Sequence, residues 1–458
     1  VLSLKLTDVA LWTRGTLHGA DVPVDGVFTD TRAPKPGALF VALKGDSFDA
    51  HDFVAQAQAG GAAAALVERQ VAIDLPQVVV ADTLLALGDL ASAVRAQHRT
   101  RVVGITGSNG KTTVKTLLAT ILGLHGKAHF NAGNLNNEIG LPLSLLAMPA
   151  DADYAVIEMG AGKPGDIAYL AGIARPEIGL VNNIAPAHLE RMGTLEGIAE
   201  TKGALYTSLP AHGIAVINAD DAFAATFAAM AGSRRIVRFS MASVADVRGQ
   251  VIESGARMRF ALRMPGAQTQ VDLPLGGRHN VMNALAAAAA AYALDVPAAT
   301  IRQGLESAPA VKGRLQRHVL AAGWTLIDDS YNANPGSTEA AIDTLAAEAG
   351  EGWLVLGDMR ELGAAACELH AHVGAHARER GIARLFTVGP LAKAAAESFG
   401  AGATHFADQQ ALISVLAADV HMGVNVLVKG SRGSAMDNVV RALLEPRGAN
   451  GGNKRHAA

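Results

Sequence analysis

Residues 102–113 read Val-Val-Gly-Ile-Thr-Gly-Ser-Asn-Gly-Lys-Thr-Thr: an apolar run, a glycine-rich turn, then a lysine followed by two hydroxyl side chains. That order suits a polyphosphate. Glycines let backbone N–H groups crowd around anionic oxygens, and a helix starting just after them adds its positive dipole end. Gly107, Ser108, Asn109 and Gly110 would form the turn, Lys111 would neutralise β- and γ-phosphates, and Thr112 or Thr113 would hold Mg2+ through its hydroxyl. The general pattern wants glycine six residues before the lysine, where Ile105 stands. A bound ATP or GTP is expected.

Three further residues carry candidate chemistry. Glu158 closes the apolar run Tyr154-Ala-Val-Ile-Glu158, and ligands of parallel sheets gather outside the carboxyl ends of strands, so it is a candidate magnesium ligand. His188 lies in a loop after another such run, where a neutral imidazole could complete the metal shell. Each alone is equally readable as a solvated strand end or an ordinary loop histidine. Lys202, one helix further on, reads by default as a solvated helix face; only as a carbamate would it offer the anionic oxygen a hard cation prefers. Two patterns are set aside. Gly160-Ala-Gly162-Lys-Pro-Gly165 matches a dinucleotide fingerprint but lacks the acidic residue about twenty positions on, Asn182 and Asn183 standing there instead. His370, His372 and His376 share a predicted helix without the HExxH context of a zinc site, and read as a polar face.

These groups need a scaffold of alternating strands and helices, and the chain supplies one. At 458 residues it exceeds one ordinary core, so two to four domains are expected. Residues 1–83 form a small α/β unit with a strand near Ala38–Leu43 and an Ala-rich helix around Phe53–Ala65. Residues 84–313 open with the helix Leu84–Gln97 and alternate strands (Val102–Thr106, Tyr154–Met159, Ile178–Val181, Ile214–Ile217) with helices, enclose a β meander from Ile236 to Leu273, and end with a helix at Asn280–Leu294. Residues 314–458 repeat the alternation with strands at Thr325–Ile327, Trp353–Leu356, Leu385–Val388 and Asn425–Val428, a doubly wound pattern, before a polar tail expected to be disordered from about residue 448. The fold class is therefore α/β in three domains. With 39 basic against 42 acidic residues there is no footprint for nucleic acid or an anionic membrane. One cysteine, Cys367, excludes an intramolecular disulfide. No secretory signal or membrane-length apolar run is visible, and a cytoplasmic protein is expected.

Thr106-Gly-Ser-Asn-Gly-Lys-Thr-Thr113, Glu158-Met-Gly-Ala, Asn183-Ile-Ala-Pro-Ala-His188-Leu-Glu, Gly277-Arg-His-Asn280-Val-Met-Asn283-Ala and Asp328-Asp329-Ser-Tyr-Asn332-Ala-Asn334-Pro together resemble the Mur ligase family. Thr29-Asp30-Thr31-Arg32, the run Phe40 to Phe53, Gly133-Asn134-Leu-Asn-Asn137-Glu-Ile-Gly, Leu356-Gly-Asp358-Met-Arg-Glu361-Leu-Gly and Val428-Lys429-Gly-Ser431-Arg432 narrow it to the branch that adds D-alanyl-D-alanine to UDP-N-acetylmuramoyl-tripeptide. The resemblance spans nearly the whole chain. It implies an ATP-dependent amide ligase of peptidoglycan precursor synthesis. Its three domains would be a UDP-substrate domain, a P-loop ATPase domain and a Rossmann-like ligase domain. ATP would phosphorylate the peptide carboxylate, and the amine would attack the acyl phosphate.

By resemblance, Lys111, Glu158, His188 and Lys202 are catalytic, with Thr112 or Thr113 serving one magnesium ion and Glu158, His188 and carbamylated Lys202 the other. Asn280 and Asn283 would touch adenine, Arg314 the nucleotide near a hinge, and Asp329 the ribose. Asp30, Thr31, Arg32 and Lys44 would hold the UDP part, and Asn134 and Asn137 the muramoyl peptide. Asn332, Asn334, Asp358, Lys429 and Arg432 would face D-alanyl-D-alanine. A monomer is expected. The competing expectations are another Mur ligase or a folylpolyglutamate synthase-like ligase and, in a different class, a nucleotide-gated binding module.

Overall fold

The computed structural model describes residues 3–45, 48–186 and 189–445. His188 and the tail beyond residue 445 lie outside the described residues. The middle of the chain builds a nine-stranded sheet whose strands follow the order 267–273, 258–264, 247–253, 235–240, 214–218, 178–181, 101–106, 154–158, 128–130. All neighbours are parallel from 128–130 across to 247–253; the last two strands join antiparallel. The stretch expected as a β meander from Ile236 to Leu273 continues the main sheet: Arg235–Ser240 pairs parallel with Ile214–Asn218, and only the strands from Val247 onward pair antiparallel with one another.

Alternation along the central strands divides their side chains between two cores. Val103, Ile105 and Val156 pack with Leu117, Leu118 and Ile121 of the helix Lys111–Gly123 and with the helix Arg278–Ala293. Val102, Ala155 and Ile157 face the other way, against the helices Thr83–Gln97, Gly140–Leu146 and Asp166–Ala174. Ala284 through Ala291 are fully buried, since a methyl side chain lets that helix sit close to the sheet.

The first unit holds a five-stranded sheet in the order 16–18, 77–79, 64–67, 39–41, 27–28. Here the sequence reading errs. The helix expected over Phe53–Ala65 is a 3-10 turn at Ala50–Phe53 and a helix at Val54–Ala59, and Ala64–Val67 is a strand. The chain breaks at Gly60 and Gly61, and Ala64 and Ala65 are wholly buried between parallel neighbours, a placement that outweighs alanine's helix propensity. The last unit is a six-stranded sheet in the order 316–319, 325–329, 424–429, 351–357, 384–388, 403–406, parallel except at its first pair. Its expected strands stand, each lengthened by one to three residues.

Register aligns the carboxyl ends of the central strands: Glu158 pairs with Ile105 and Val181 with Thr106. The cradle, Glu158 and the loop after Val181 therefore emerge at one sheet edge, facing the third unit across a cleft of about 640 Å³.

Candidate functional site

The cradle is shaped by two glycines. Gly107 has φ +144°, and a Cβ there would lie 3.1 Å from Asn182 Cβ; Gly110 has φ +79°, and its Cβ would lie 2.3 Å from Asn283 Oδ1. The glycine missing at position 105 is not needed there, because Ile105 is a buried strand residue and Gly107 makes the turn. Asn182 and Asn183 brace the loop: Ser108 N donates to Asn183 O, Asn109 N to Asn183 Oδ1, and Asn182 Nδ2 to both Asn109 O and Asn283 Oδ1. Lys111 Nζ donates to the carbonyls of Gly107 and Ser108. Burial lowers its pKa, opposed by Glu158 and reinforced by Arg314.

Glu158 is buried, and three groups converge on its carboxylate. Thr112 Oγ1 donates to Oε2 at 3.0 Å, Asn136 Nδ2 to Oε1 at 2.7 Å, and Lys115 Nζ lies 3.2 Å from Oε2. Burial raises the Glu158 pKa, but Lys115, Lys111, Asn136 and Thr112 together outweigh it and hold the group below the ordinary carboxylate range. The Thr112 hydroxyl and the Glu158 carboxylate form an adjacent pair of hard oxygen donors at the cradle mouth, a chemistry that fits a magnesium ion. Thr113 faces instead a second cavity of about 300 Å³ beside Asn280, Asn283, His279 and Asp329. Among the described residues no group of three or more His, Cys, Asp or Glu side chains forms a metal cluster. Lys202 is almost wholly buried on the helix Leu195–Thr207; burial, then the nearby Lys111 charge, push its amine down to about 7.

The second cavity collects the residues expected at the nucleoside. Asn280 Nδ2 donates to Gly276 O and Asn283 Nδ2 to Asn280 Oδ1, so the pair forms one amide chain running to Asn182. Asp329 accepts from Leu315 N at 3.2 Å and from Lys429 Nζ at 2.5 Å. His279, at the start of the same helix, is pushed down to about 4 by burial.

The residues expected at the amine substrate separate. Asn332, Asn334 and Arg432 line the large cleft, as do Asn134 and Asn137 on the opposite wall. Lys429 lines the second, smaller cavity instead. Asp358 Oδ1 accepts from Leu391 N and Ala392 N, tying two loops of the third unit together. Asn334 caps the helix Pro335–Ala346 by accepting from Ser337 N, and its amide donates to Asn109 Oδ1 at 2.7 Å, joining third unit to cradle. In the first unit, Asp30 and Arg32 form a forked pair that holds the Asp30 pKa at about 2, and the backbone of Lys44 forms an isolated antiparallel bridge with that of Asp49; Thr31 lies between the paired residues. These four stand apart from the large cleft.

Both set-aside patterns have structural roles. Asp166 Oδ2 accepts from Gly162 N and Lys163 N, so the glycine turn is filled by the chain's own carboxylate. His370 accepts from Met359 N in the core, while His372 and His376 pair with Glu339 and Asp343. Sequence reasoning missed Lys115, Asn131 and Asn136. Asn131 exchanges both of its amide groups with the backbone of Glu158, and Lys115 Nζ donates to Asn131 O and Gly133 O. The available signal was spacing, since Lys115 stands one helical turn after Lys111 on the same face.

Three family models match in order: the Mur ligase family catalytic domain over residues 23–100, the Mur ligase middle domain over 105–291, and the Mur ligase glutamate ligase domain over 313–432. The chain belongs to the Mur ligase family. It is 47% identical over 450 residues to the UDP-N-acetylmuramoyl-tripeptide–D-alanyl-D-alanine ligase of Escherichia coli K12, covering 97% of this chain and 99% of the relative. The corresponding Bacillus subtilis ligase is 35% identical, again with 97% and 99% covered. Among solved structures, MurF from Acinetobacter baumannii matches with a TM-score of 0.92 at 35% identity over 97% of this chain and 99% of that one. MurF from Thermotoga maritima in complex with ADP matches at 0.82 and 28% identity over 92% and 97%. A Mycobacterium tuberculosis folylpolyglutamate synthase, at 20% identity over 80% of this chain and 95% of that one, with a TM-score of 0.63, shares the fold.

Proposed function

We propose that this Mur ligase uses ATP to join D-alanyl-D-alanine to UDP-N-acetylmuramoyl-tripeptide, in the cytoplasm and as a monomer. A family relative 47% identical along almost the full chain supports the substrate pair. The observation that carries the chemistry is the buried Glu158 carboxylate held 3.0 Å from Thr112 Oγ1 at the mouth of the cradle. Among the described residues no helix is long and apolar enough to cross a membrane.

A carboxylate is a poor electrophile, so the reaction begins by transferring the γ-phosphoryl group of ATP to the tripeptide carboxylate oxygen. The amine of the dipeptide then attacks that carbonyl, and inorganic phosphate leaves from the tetrahedral intermediate. Cradle N–H groups and Lys111 bind the phosphates, and Arg314 adds a second cation from the hinge. Thr112 and Glu158 would hold a magnesium ion, which supplies charge neutralisation on phosphoryl oxygens. By family resemblance Glu158, with His188 and a carbamylated Lys202, would hold a second metal ion and supply further charge neutralisation on the phosphoryl oxygens. A buried amine pushed down to about 7 is largely neutral at slightly alkaline pH, and only the neutral lone pair adds to CO2, losing a proton to become a carbamate. Asn280, Asn283 and Asp329 hold the nucleoside; Asn134 and Asn137 face the tripeptide and Asn332 and Arg432 the dipeptide. Lys429 and Asp358 act as braces, Lys429 by orienting Asp329. Asp30, Thr31, Arg32 and Lys44 hold the UDP part in the first of three units bounded near residues 83 and 313.

Product mass after incubation with ATP, magnesium, UDP-muramoyl-tripeptide and D-alanyl-D-alanine tests this reading. Phosphate release that requires both acceptors, with a pentapeptide product, is expected. A nucleotide-gated binding module would release phosphate without them and form no amide, and that result would overturn the assignment.

A further inference from the structure

The hinge between the second and third units grips one aromatic ring. Gly313 and Leu315 both have positive φ, +68° and +50°, and Leu315 is a γ-branched residue in a region that favours glycine. This local strain is held by two contacts: Leu315 N donates to Asp329 Oδ1, and Tyr331 N to Gly313 O at 3.3 Å. A Cβ on Gly313 would stand 3.1 Å from Tyr331 Cβ, so the turn is wrapped tightly around that residue. Between these two positive-φ residues stands Arg314, and its guanidinium carbon lies 4.3 Å from the Tyr331 ring centroid.

A guanidinium held over a ring is attracted to the ring face, while its N–H groups remain available to oxygen anions. Arg314 borders both the large cleft and the nucleoside cavity, the position between a nucleoside and a carboxylate acceptor. Its charge is felt by Lys111, which places the guanidinium in the field of the phosphate cradle. A free arginine side chain samples many rotamers, and a ring contact restricts that sampling. Tyr331 selects among them.

We infer that Tyr331 is a positioning residue: its ring face orients Arg314 toward the phosphates of the bound nucleotide when the third unit lies against the cradle. This inference rests on the ATP-dependent reading above and assigns Tyr331 no contact with either acceptor substrate.

The test is a double-mutant cycle in the full-length protein, read both as turnover and as ADP affinity by calorimetry. Tyr331→Leu is expected to lower kcat roughly tenfold and weaken ADP severalfold, within the range of a partly desolvated cation–ring contact, with KM for D-alanyl-D-alanine changed less than about twofold. Tyr331→Phe keeps the ring face and is expected to retain both values. In an Arg314→Ala background, Tyr331→Leu should cost less than about twofold, because the group it orients is gone. Arg314→Lys, which keeps the charge but not the flat face, should lose about as much as Tyr331→Leu and be equally insensitive to it. Equal losses in both backgrounds, a Phe variant as impaired as Leu, or a loss confined to KM for the dipeptide would each overturn the inference. The ADP arm reports on Tyr331 whatever the amine substrate is, while the wild-type product mass reports on the reading itself.

Discussion

Replacing Lys115 with methionine removes one member of a buried ion pair and leaves the other in place. Both side chains are nearly inaccessible, at 4% and 3%, and Lys115 Nζ also satisfies the carbonyls of Asn131 and Gly133. Breaking such a pair from one side costs about 3–5 kcal/mol, because an uncompensated charge stays buried. If the middle unit unfolds as a block of about 200 residues, that corresponds to a melting-temperature drop on the order of 10 °C. The pH dependence carries the sign. In the wild type the Glu158 pKa is depressed, so its contribution is present above the unfolded value near 4.3 and is lost only as pH falls through the lower folded value. Between pH 8 and pH 5 it is therefore constant. In Lys115→Met the strongest opposing influence is gone, burial raises the carboxyl, and the penalty relaxes as acid neutralises it. Thermal denaturation of both proteins across that range should show a gap that is widest at pH 8 and narrows toward pH 5. Adding Glu158→Gln to Lys115→Met should recover much of the lost stability though not activity. A variant as stable as wild type at pH 8, or a gap indifferent to pH, would refute the reasoning.

Two other outcomes are expected. Lys202→Ala should abolish most turnover and regain part of it with added short carboxylic acids, and 13C-bicarbonate should label the wild-type enzyme at this residue; an unlabelled, active enzyme would rule the carbamate out. Asn334→Ser keeps a helix-capping oxygen but cannot reach Asn109, so melting should hold while kcat/KM for ATP falls about 2–12-fold, the worth of one net hydrogen bond of about 0.5–1.5 kcal/mol. Asn334→Ala should show the same kinetic loss plus about 1 kcal/mol of instability from the missing cap, and equal melting of the two variants would refute the capping role.

The legible parts of the fold were those governed by local rules. Ile178–Val181 reads as a strand because Ile178, Leu180 and Val181 stand with one glycine between turn signals, and it is one. Val114–Leu122 reads as a helix from its apolar spacing and lies within the observed helix Lys111–Gly123, and the glycines before it announce the turn. The Ala-rich stretch to Ala65 misled, since alanine supports either conformation and only the parallel neighbours at Leu39–Val41 and Gln77–Val79 decide in favour of a strand. The site was half legible for a related reason. Lys111, Glu158 and Asn334 stand in recognisable motifs, whereas Lys115, Asn136 and Tyr331 matter through what they touch.

From its residues alone this chain determines most of its strands and helices and the glycine turn of the cradle, because propensity, periodicity and glycine stereochemistry act over a few positions, and its motifs carry the family resemblance. The tertiary structure decided which distant groups meet. Glu158 finds Thr112 and Lys115 because the strand 154–158 lies beside 101–106 in the sheet, and Asn334 reaches Asn109 across 225 positions because the third unit sits against the cradle. Nonsequential strand order and burial set those encounters, and no short-range pattern in the chain encodes them.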